Sequence, residues 1–461
     1  MGKNEMNSDT ICAMSTAPGG ALGIVRVSGP QAISIVSSLF ISATGSLLTE
    51  GKSHHAHFGR MVSPSGETID ESVVTIFRSP HSYTGEDVVE ISCHGSRYII
   101  ERILEVLIEK GCRQALPGEF TQRAYLNGRM DLSQAEAVAD LIASTNSATH
   151  KMAMSQLRGH FSDSLGKLRE QMLRLTALLE LELDFSDQDV DFADRQEILS
   201  IARATDDRVQ TLARSFRTGK AMKEGVAVAI VGKTNVGKST LLNRLLHEDK
   251  AIVSQIHGTT RDAIEDTTQI GGVCFRFIDT AGIRSTADEI EQIGIERTYQ
   301  KLAEATIVLW LIDEQPDATM REEMRQRSEG KGLITILNKI DKNPDAPTPT
   351  WLATLPGRHI LLSAKYGTGI DELEQMIFEA ANLPEVTEND VIVTRARHYE
   401  ALVHAHEDLV RVIEGLQMEL SGDLLSEDLR SCLHHLGEIT GGEITTDETL
   451  GAIFSEFCVG K

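Results

Sequence analysis

The chain has 461 residues, 41% hydrophobic and 25% charged, which suits about three soluble globular domains. A net charge of −23 excludes a protein that coats nucleic acid by bulk electrostatics, though it leaves room for a local basic groove. The six cysteines (12, 93, 112, 274, 432 and 458) form no CxxC pair, so neither a disulfide framework nor a zinc site is expected.

Residues Met1–Asn7 lack the apolar stretch of a signal peptide, and the longest apolar runs, near 226–231 and 307–312, are too short to span a bilayer. No membrane association and a cytoplasmic location are therefore expected. Residues 1–120 read as an α+β domain, with strands at Gly23–Val27, Ser72–Phe77 and Val88–Ile91 and helical patches at 30–40 and 96–110. Its loops hold specific clusters: Ala17–Gly20, Ser82–Asp87, Cys93–Gly95 and Pro117–Phe120. Glycine-rich loops on a sheet suit a ligand pocket, and ordinary turns would account for the residue types about as well. His54–His57 reads as an exposed loop rather than a metal site.

From 121 the pattern turns helical, giving a first helical part over 121–221. Leu157, Phe161, Leu165, Leu168, Met172, Leu175 and Leu179 step by three or four along one stripe, as bundle packing requires. The acidic run Asp187–Asp191 lacks the glycine and terminal glutamate of a calcium loop, Phe192 and Ile198 standing in those places; it reads as a solvated turn. Residues 222–382 alternate strand and helix as a doubly wound α/β domain does, with Pro344–Pro349 a loop inside it. A second helical part follows over 383–461. The α/β domain therefore reads as an insertion into one helical bundle.

The inserted domain carries the chemistry. The apolar run Val226–Val231 breaks at Gly232-Lys-Thr-Asn-Val-Gly-Lys-Ser239, a strand delivering a phosphate loop to a helix. Backbone N–H groups over Asn235, Val236, Gly237, Lys238, Ser239 and Thr240 would wrap the phosphates. Lys238 would reach the β/γ oxygens, and the Ser239 hydroxyl would serve Mg²⁺. Gly258-Thr259-Thr260-Arg-Asp262 offers Thr260 to the same ion, and Asp279-Thr280-Ala281-Gly282 ends an apolar strand beside the γ-phosphate. Asn338-Lys339-Ile-Asp341 supplies a carboxylate that accepts two hydrogen bonds from guanine, which adenine cannot donate. Ser363-Ala364-Lys365 gives a backbone N–H to the guanine oxygen. The set specifies a GTP-binding domain.

After the Asp279–Gly282 motif stands Ile283, an apolar side chain that cannot orient water. Asn235 offers a carbonyl oxygen beside the phosphates, where a monovalent cation would stabilise transition-state charge. A carboxylate from 284–294 is then needed; Glu291 is the candidate, and by spacing alone Asp288 or Glu289 would serve nearly as well.

The motifs Ser82–Ile91 with Cys93–Gly95, Pro117–Asn127, Asp131–Ala137, Gly258–Asp262, Asp279–Arg284, Ile293–Glu296 and Phe457–Lys461 together resemble one family over nearly the whole chain. It is the bacterial and organellar tRNA modification GTPase family MnmE, also called TrmE. The resemblance implies an N-terminal homodimerisation domain that binds a tetrahydrofolate derivative, 5-formyl- or 5,10-methylene-tetrahydrofolate. It implies a helical domain split by the G domain. It further implies a heterotetramer with MnmG (GidA), which supplies FAD, and installation of a carboxymethylaminomethyl-type group at carbon 5 of the wobble uridine of certain tRNAs. Potassium-dependent G-domain dimerisation would trigger hydrolysis.

Carried over by position, folate would meet Arg26, Glu90, Arg129 and Lys461. K⁺ would be held by Asn235, Ser254, the Ile256 backbone and Thr259, and Mg²⁺ by Ser239 and Thr260; Gln255 and His257 would join the GTP-binding set. Glu291 matches the family's water-orienting glutamate, and Cys458, which packing alone would also explain, is given a role in modification. Arg129 stands where the family often has Lys, and Ser254 where it often has Thr. One rival reading is a regulatory or ribosome-assembly GTPase whose N-terminal domain docks partners. Another is a folate-binding scaffold with structural GTP.

Overall fold

The computed structural model describes residues 9–17, 19–184, 195–246, 266–278, 303–344, 346–384, 387, 389–442, 447–455 and 457–460. Two compact units are present, one made of 1–143, 153–209 and 400–461, the other of 144–152 and 210–399.

The first unit opens with strands β1 (Ile11–Met14) and β2 (Leu22–Ser28), helix α1 (Ala32–Ser38), then β3 (Phe40–Ser42), β4 (His55–Val62), β5 (Thr68–Phe77) and β6 (Val88–His94). Helix α2 (Arg97–Glu109) and the short β7 (Arg113–Gln114) complete a seven-stranded sheet in the order β3-β4-β5-β6-β2-β1-β7. Pairing is antiparallel except between β1 and β7. Val25, Val27, Val74, Ile76, Val89 and Ile91 alternate along their strands to face one side, and α1 and α2 cover them with Val36, Ile100, Ile103 and Leu107. One expectation is corrected here: His55–His57 is not loop but the start of β4, paired with Val74–Ile76. Only His54 precedes the strand, with a left-handed backbone, φ 63°.

Helices α3 (Glu119–Leu126), α4 (Leu132–Ala143), α5 (Ser147–Leu157) and α6 (His160–Asp184) follow. The stripe Phe161, Leu165, Leu168, Met172, Leu175 and Leu179 is buried on α6. It belongs to a packing of α6 with a later helix of the same unit, Gly422–Thr440, which buries Leu425, Leu429, Leu433 and Leu436. The acidic run Asp187–Asp191 lies outside the described residues. Helix α7 (Arg195–Glu224) begins in the first unit and ends in the second.

The second unit continues with β8 (Val226–Gly232), α8 (Lys238–Leu245), β9 (Asp266–Ile270), β10 (Val273–Phe277), β11 (Ile307–Ile312), α9 (Ala318–Arg327), β12 (Gly332–Leu337), β13 (Arg358–Leu361) and α10 (Ile370–Ala380). Its six-stranded sheet, β13-β12-β11-β8-β10-β9, is parallel except for β9. This is a doubly wound α/β domain. Val226, Val228, Ile230, Leu309 and Ile334 face one core, and Ala227, Ala229, Val231, Val308 and Trp310 face the other. That is why these strands read as unbroken apolar runs.

Helices α11 (Ala396–Gln417), α12 (Gly422–Thr440) and α13 (Asp447–Ser455) end the chain. Phe454 and Phe457 pack on Leu132 and Leu450. The tail then pairs with the N-terminal region: Gly118 N–H donates to Cys458 O at 3.3 Å, Val459 bridges to Pro117, and Ser15 Oγ donates to Gly460 O at 3.1 Å. Gly460 has φ 94°, and a Cβ there would lie 2.0 Å from Met14 O, so only glycine fits. Phe454→Ala should cost the first unit about 3–5 kcal/mol, read as a lower thermal transition by circular dichroism. The exposed Leu424→Ala should stay within about 0.5 kcal/mol.

Candidate functional site

β8 is buried to Val231 and then turns at Gly232, where a Cβ would lie 2.4 Å from Leu311 O on the neighbouring strand. The loop reaches Gly237, φ 109°, and enters α8 with Lys238, Ser239 and Thr240 in its first turn. Lys238 folds back over its own loop, Nζ donating to Gly232 O at 2.7 Å and Lys233 O at 2.8 Å. Burial pushes this ammonium down from the usual lysine range, a shift that an anion seated in the loop would oppose.

The loop after β12 closes on this one. Asn338 is 5% exposed; its Nδ2 donates to Val236 O at 2.8 Å and its Oδ1 accepts from Ala364 N–H at 3.0 Å. Lys339 Nζ donates to Asn235 O and to Asp313 Oδ2, both at 2.7 Å. The Lys339 bond holds the Asp313 carboxyl below its ordinary range. Asp341 Oδ1 accepts from Ser363 Oγ at 2.6 Å, and Arg244 on α8 donates to Ala364 O at 3.3 Å and Lys365 O at 2.8 Å. Asn235–Thr240, Asn338, Lys339, Asp341 and Ser363–Lys365 thus gather at the carboxyl edge of the parallel sheet, where ligands of such folds bind. Backbone donors at a helix start, a lysine and a carboxylate together suit a phosphorylated guanine nucleoside.

Ser254, Gln255, Ile256, His257, Gly258, Thr259, Thr260, Asp279, Thr280, Ala281, Gly282, Ile283, Glu291 and Lys461 lie outside the described residues. Sequence reasoning missed Asp313, Glu314 and Arg244. Asp313 and Glu314 take up Lys339 and Lys233, the latter at 2.6 Å, and Arg244 fixes the Ser363–Lys365 loop. The signal available for the two acids was their place straight after β11.

In the first unit Arg26 and Glu90 are direct cross-strand neighbours on β2 and β6, and Arg26 Nε and Nη2 donate to Glu90 Oε1 at 3.0 and 2.8 Å. The guanidinium lies 5.1 Å from the Tyr83 ring centre and 5.6 Å from that of Phe120. Tyr83 also borders a cleft of about 410 Å³ with His54, Phe77, His81, Ser82 and Arg129. Burial raises the Tyr83 phenol, whose oxygen pairs with Thr121 Oγ1 at 2.8 Å. Cys458 is exposed, in the tail that pairs with Pro117, Gly118 and Ser15. Tyr83 and Phe120, the neighbours of Arg26, come from the Ser82–Asp87 and Pro117–Phe120 clusters singled out in sequence; their approach to Arg26 shows only once the chain is folded.

Two family models match the chain: "MnmE helical domain" over residues 132–458 and "GTP-binding protein TrmE N-terminus" over 10–129. The sequence is 54% identical to the tRNA modification GTPase MnmE of Bacteroides fragilis, covering 99% of this chain and 100% of that protein. The same identity and coverage hold for the protein of that name from Bacteroides thetaiotaomicron. For that from Porphyromonas gingivalis the identity is 50%, with 99% of each chain covered.

Asn338→Ala should strand the Val236 carbonyl and the Ala364 N–H, at about 1–3 kcal/mol. The Kd of a fluorescent GDP analogue should therefore rise by about 5- to 150-fold. Wild-type affinity would mean that the loops hold their places without this carboxamide.

Proposed function

The chain belongs to the MnmE (TrmE) family of tRNA modification GTPases, and from that premise we propose that it hydrolyses GTP to drive modification of the tRNA wobble uridine. In this reading it acts in the cytoplasm with MnmG (GidA), as a homodimer within a heterotetramer, and the group installed at carbon 5 is of the carboxymethylaminomethyl type. Residues 1–120 bind a tetrahydrofolate one-carbon donor, 222–382 form the GTPase domain, and 121–221 with 383–461 form the helical domain around it. What chiefly supports the reading is the joint closure of the phosphate loop, the Asn338–Asp341 loop and the Ser363–Lys365 loop around the Asn338 side chain.

Mechanistically, the loop N–H groups and Lys238 bind the phosphates. Asp341, half-buried and already accepting from Ser363 Oγ, would accept the two guanine N–H groups, which adenine does not offer. Glu291 orients the attacking water, a task Ile283 cannot perform. Mg²⁺ would be held by Ser239 and Thr260, and K⁺ by Asn235, Ser254, Ile256 O and Thr259. Asn235 fits such a role: its left-handed backbone, φ 62°, is fixed by the bond from Lys339 to its carbonyl, which leaves the side-chain amide for a ligand. These ions would supply positive charge to the phosphates as negative charge develops. Arg26, Glu90, Arg129 and Lys461 would recognise the folate, and Cys458 would act beside that pocket.

GTP turnover should be faster in KCl than in NaCl at equal ionic strength; equal rates would remove the cation role of Asn235. Glu291→Ala should slow turnover by about 10²-fold or more, and an unchanged rate would reassign the water-orienting carboxylate. Nucleoside mass spectrometry of tRNA from cells lacking the gene should show loss of the carbon-5 modified wobble uridine, restored by wild type but not by Asp279→Ala. Unchanged uridines would favour a ribosome-assembly or scaffold role.

A further inference from the structure

The chain is strongly acidic overall, yet its positive charge is not evenly spread. Within the second unit, segment 144–152 carries Lys151, segment 210–224 carries Arg214, Arg217, Lys220 and Lys223, and segment 391–399 carries Arg395 and Arg397. Against these seven cations the three segments hold one acid, Glu224, a local balance of +6 in a chain of −23.

The segments are neighbours in space. Met152 and Met222 pack with Ala148 and Ile392. Val393 N–H donates to Ser215 Oγ at 3.0 Å, and a Cβ on Gly219 would lie 2.1 Å from Val393 O, so the segment leading into α11 runs close against α7. Leu212, Gly219 and Met222 take the inner side of α7, while Arg214, Arg217, Lys220 and Lys223 are exposed. Each third residue rises about 4.5 Å and turns about 60° round the helix, so Arg214, Arg217 and Lys220 share one broad face while Lys223 lies about half a turn from Arg214, towards the inner side. Arg214 bonds Gln210 at 2.6 Å, Lys220 stands 4.0 Å from Glu224, and Arg217 has no ion pair among the described residues. Beside them Tyr399, 38% exposed, stacks on Phe216 with ring centres 4.7 Å apart.

We propose that this face, the C-terminal half of α7 with the approach to α11, is a contact surface for the tRNA sugar–phosphate backbone. The inference rests on reading the chain as a tRNA-modifying protein. The exposed cations Arg214, Arg217 and Lys220 on one broad face match successive phosphates, and the partly exposed Tyr399 ring near them suits an unstacked base. An anionic lipid surface suits it less, because the apolar residues of this stretch of α7 point inward and leave nothing to insert.

The test is anisotropy of a labelled tRNA with the full chain across a KCl series. Replacing Arg214, Arg217, Lys220 and Lys223 together by Ala should weaken binding and flatten the plot of log K against log salt by about 2–4, since each phosphate contact contributes roughly 0.7–0.9. The charge-keeping pair Arg217→Lys with Lys220→Arg should keep the wild-type slope, which separates lost charge from lost fold. Tyr399→Ala should weaken binding by roughly tenfold at an unchanged slope. Wild-type affinity and slope in the fourfold variant would overturn the surface, as would a wild type that fails to bind tRNA. A fourfold variant that still binds tRNA but loses vesicles rich in anionic lipid would assign the face to a membrane instead. Intact wobble uridines in cells lacking the gene would sink the tRNA-modifying reading itself, a result the binding series does not produce.

Discussion

Asn338 donates to a carbonyl of one loop and accepts from the N–H of another, and its own backbone begins a third. Strands of a parallel sheet stop at a common edge, and the loops beyond that edge have no ladder to hold them to one another. A buried carboxamide with both ends satisfied supplies the missing link at a net gain of about 1 kcal/mol per bond. Removing it costs more, because the groups it serves stay buried. Its position also fixes a neighbour: a Cβ at residue 237 would lie 2.3 Å from Nδ2, so glycine there serves the side chain behind the loop as well as the phosphate in front.

The lysine next in sequence adds a second constraint of another kind. Asn235 and Lys339 both hold left-handed backbones, φ 62° and 66°, at a cost of order 1–2 kcal/mol each for a residue with a Cβ. One ammonium joins the two, donating to the Asn235 carbonyl while paired with Asp313. The nearby Lys233–Glu314 pair is half or more exposed on both sides, and such pairs contribute between nothing and about 1 kcal/mol. Asp313–Lys339 is more enclosed and is tied to a loop carbonyl. Of the two acids following β11, Asp313 is therefore the one that holds the loop in shape.

Much of this was legible in the chain. The second unit's sheet shows in sequence because each inner strand is buried on both faces and becomes an apolar run that ends where a motif begins. β4 was hidden because His55-Ala-His57 lacks β-branched residues and keeps two of its three side chains exposed. β9, Asp266-Thr-Thr-Gln-Ile, is an edge strand with polar alternation, and β7 has two residues. The Arg26–Glu90 contact needed the register of β2 against β6, which no local pattern carries. Motifs could name Asn338 and Asp341 as base-reading residues, but not the carboxamide's grip on Val236 and Ala364, which exists only once three loops converge.

The charge distribution can be taken one step further. At physiological ionic strength the screening length is about 8 Å, so a polyanion farther off than that feels little of the body's net charge, while one in contact with this part of α7 meets a local excess of cations. Attraction then operates over one helix face and is opposed elsewhere. Such an arrangement gives up the fast, unselective capture that a uniformly basic protein enjoys. In return it penalises every docking orientation except those that place phosphates along Arg214, Arg217 and Lys220. For a member of a tRNA modification GTPase family, the orientation of a bound RNA matters more than its capture rate. On the proposed surface the acidity of the chain would help orient the RNA, and it does not count against an RNA partner.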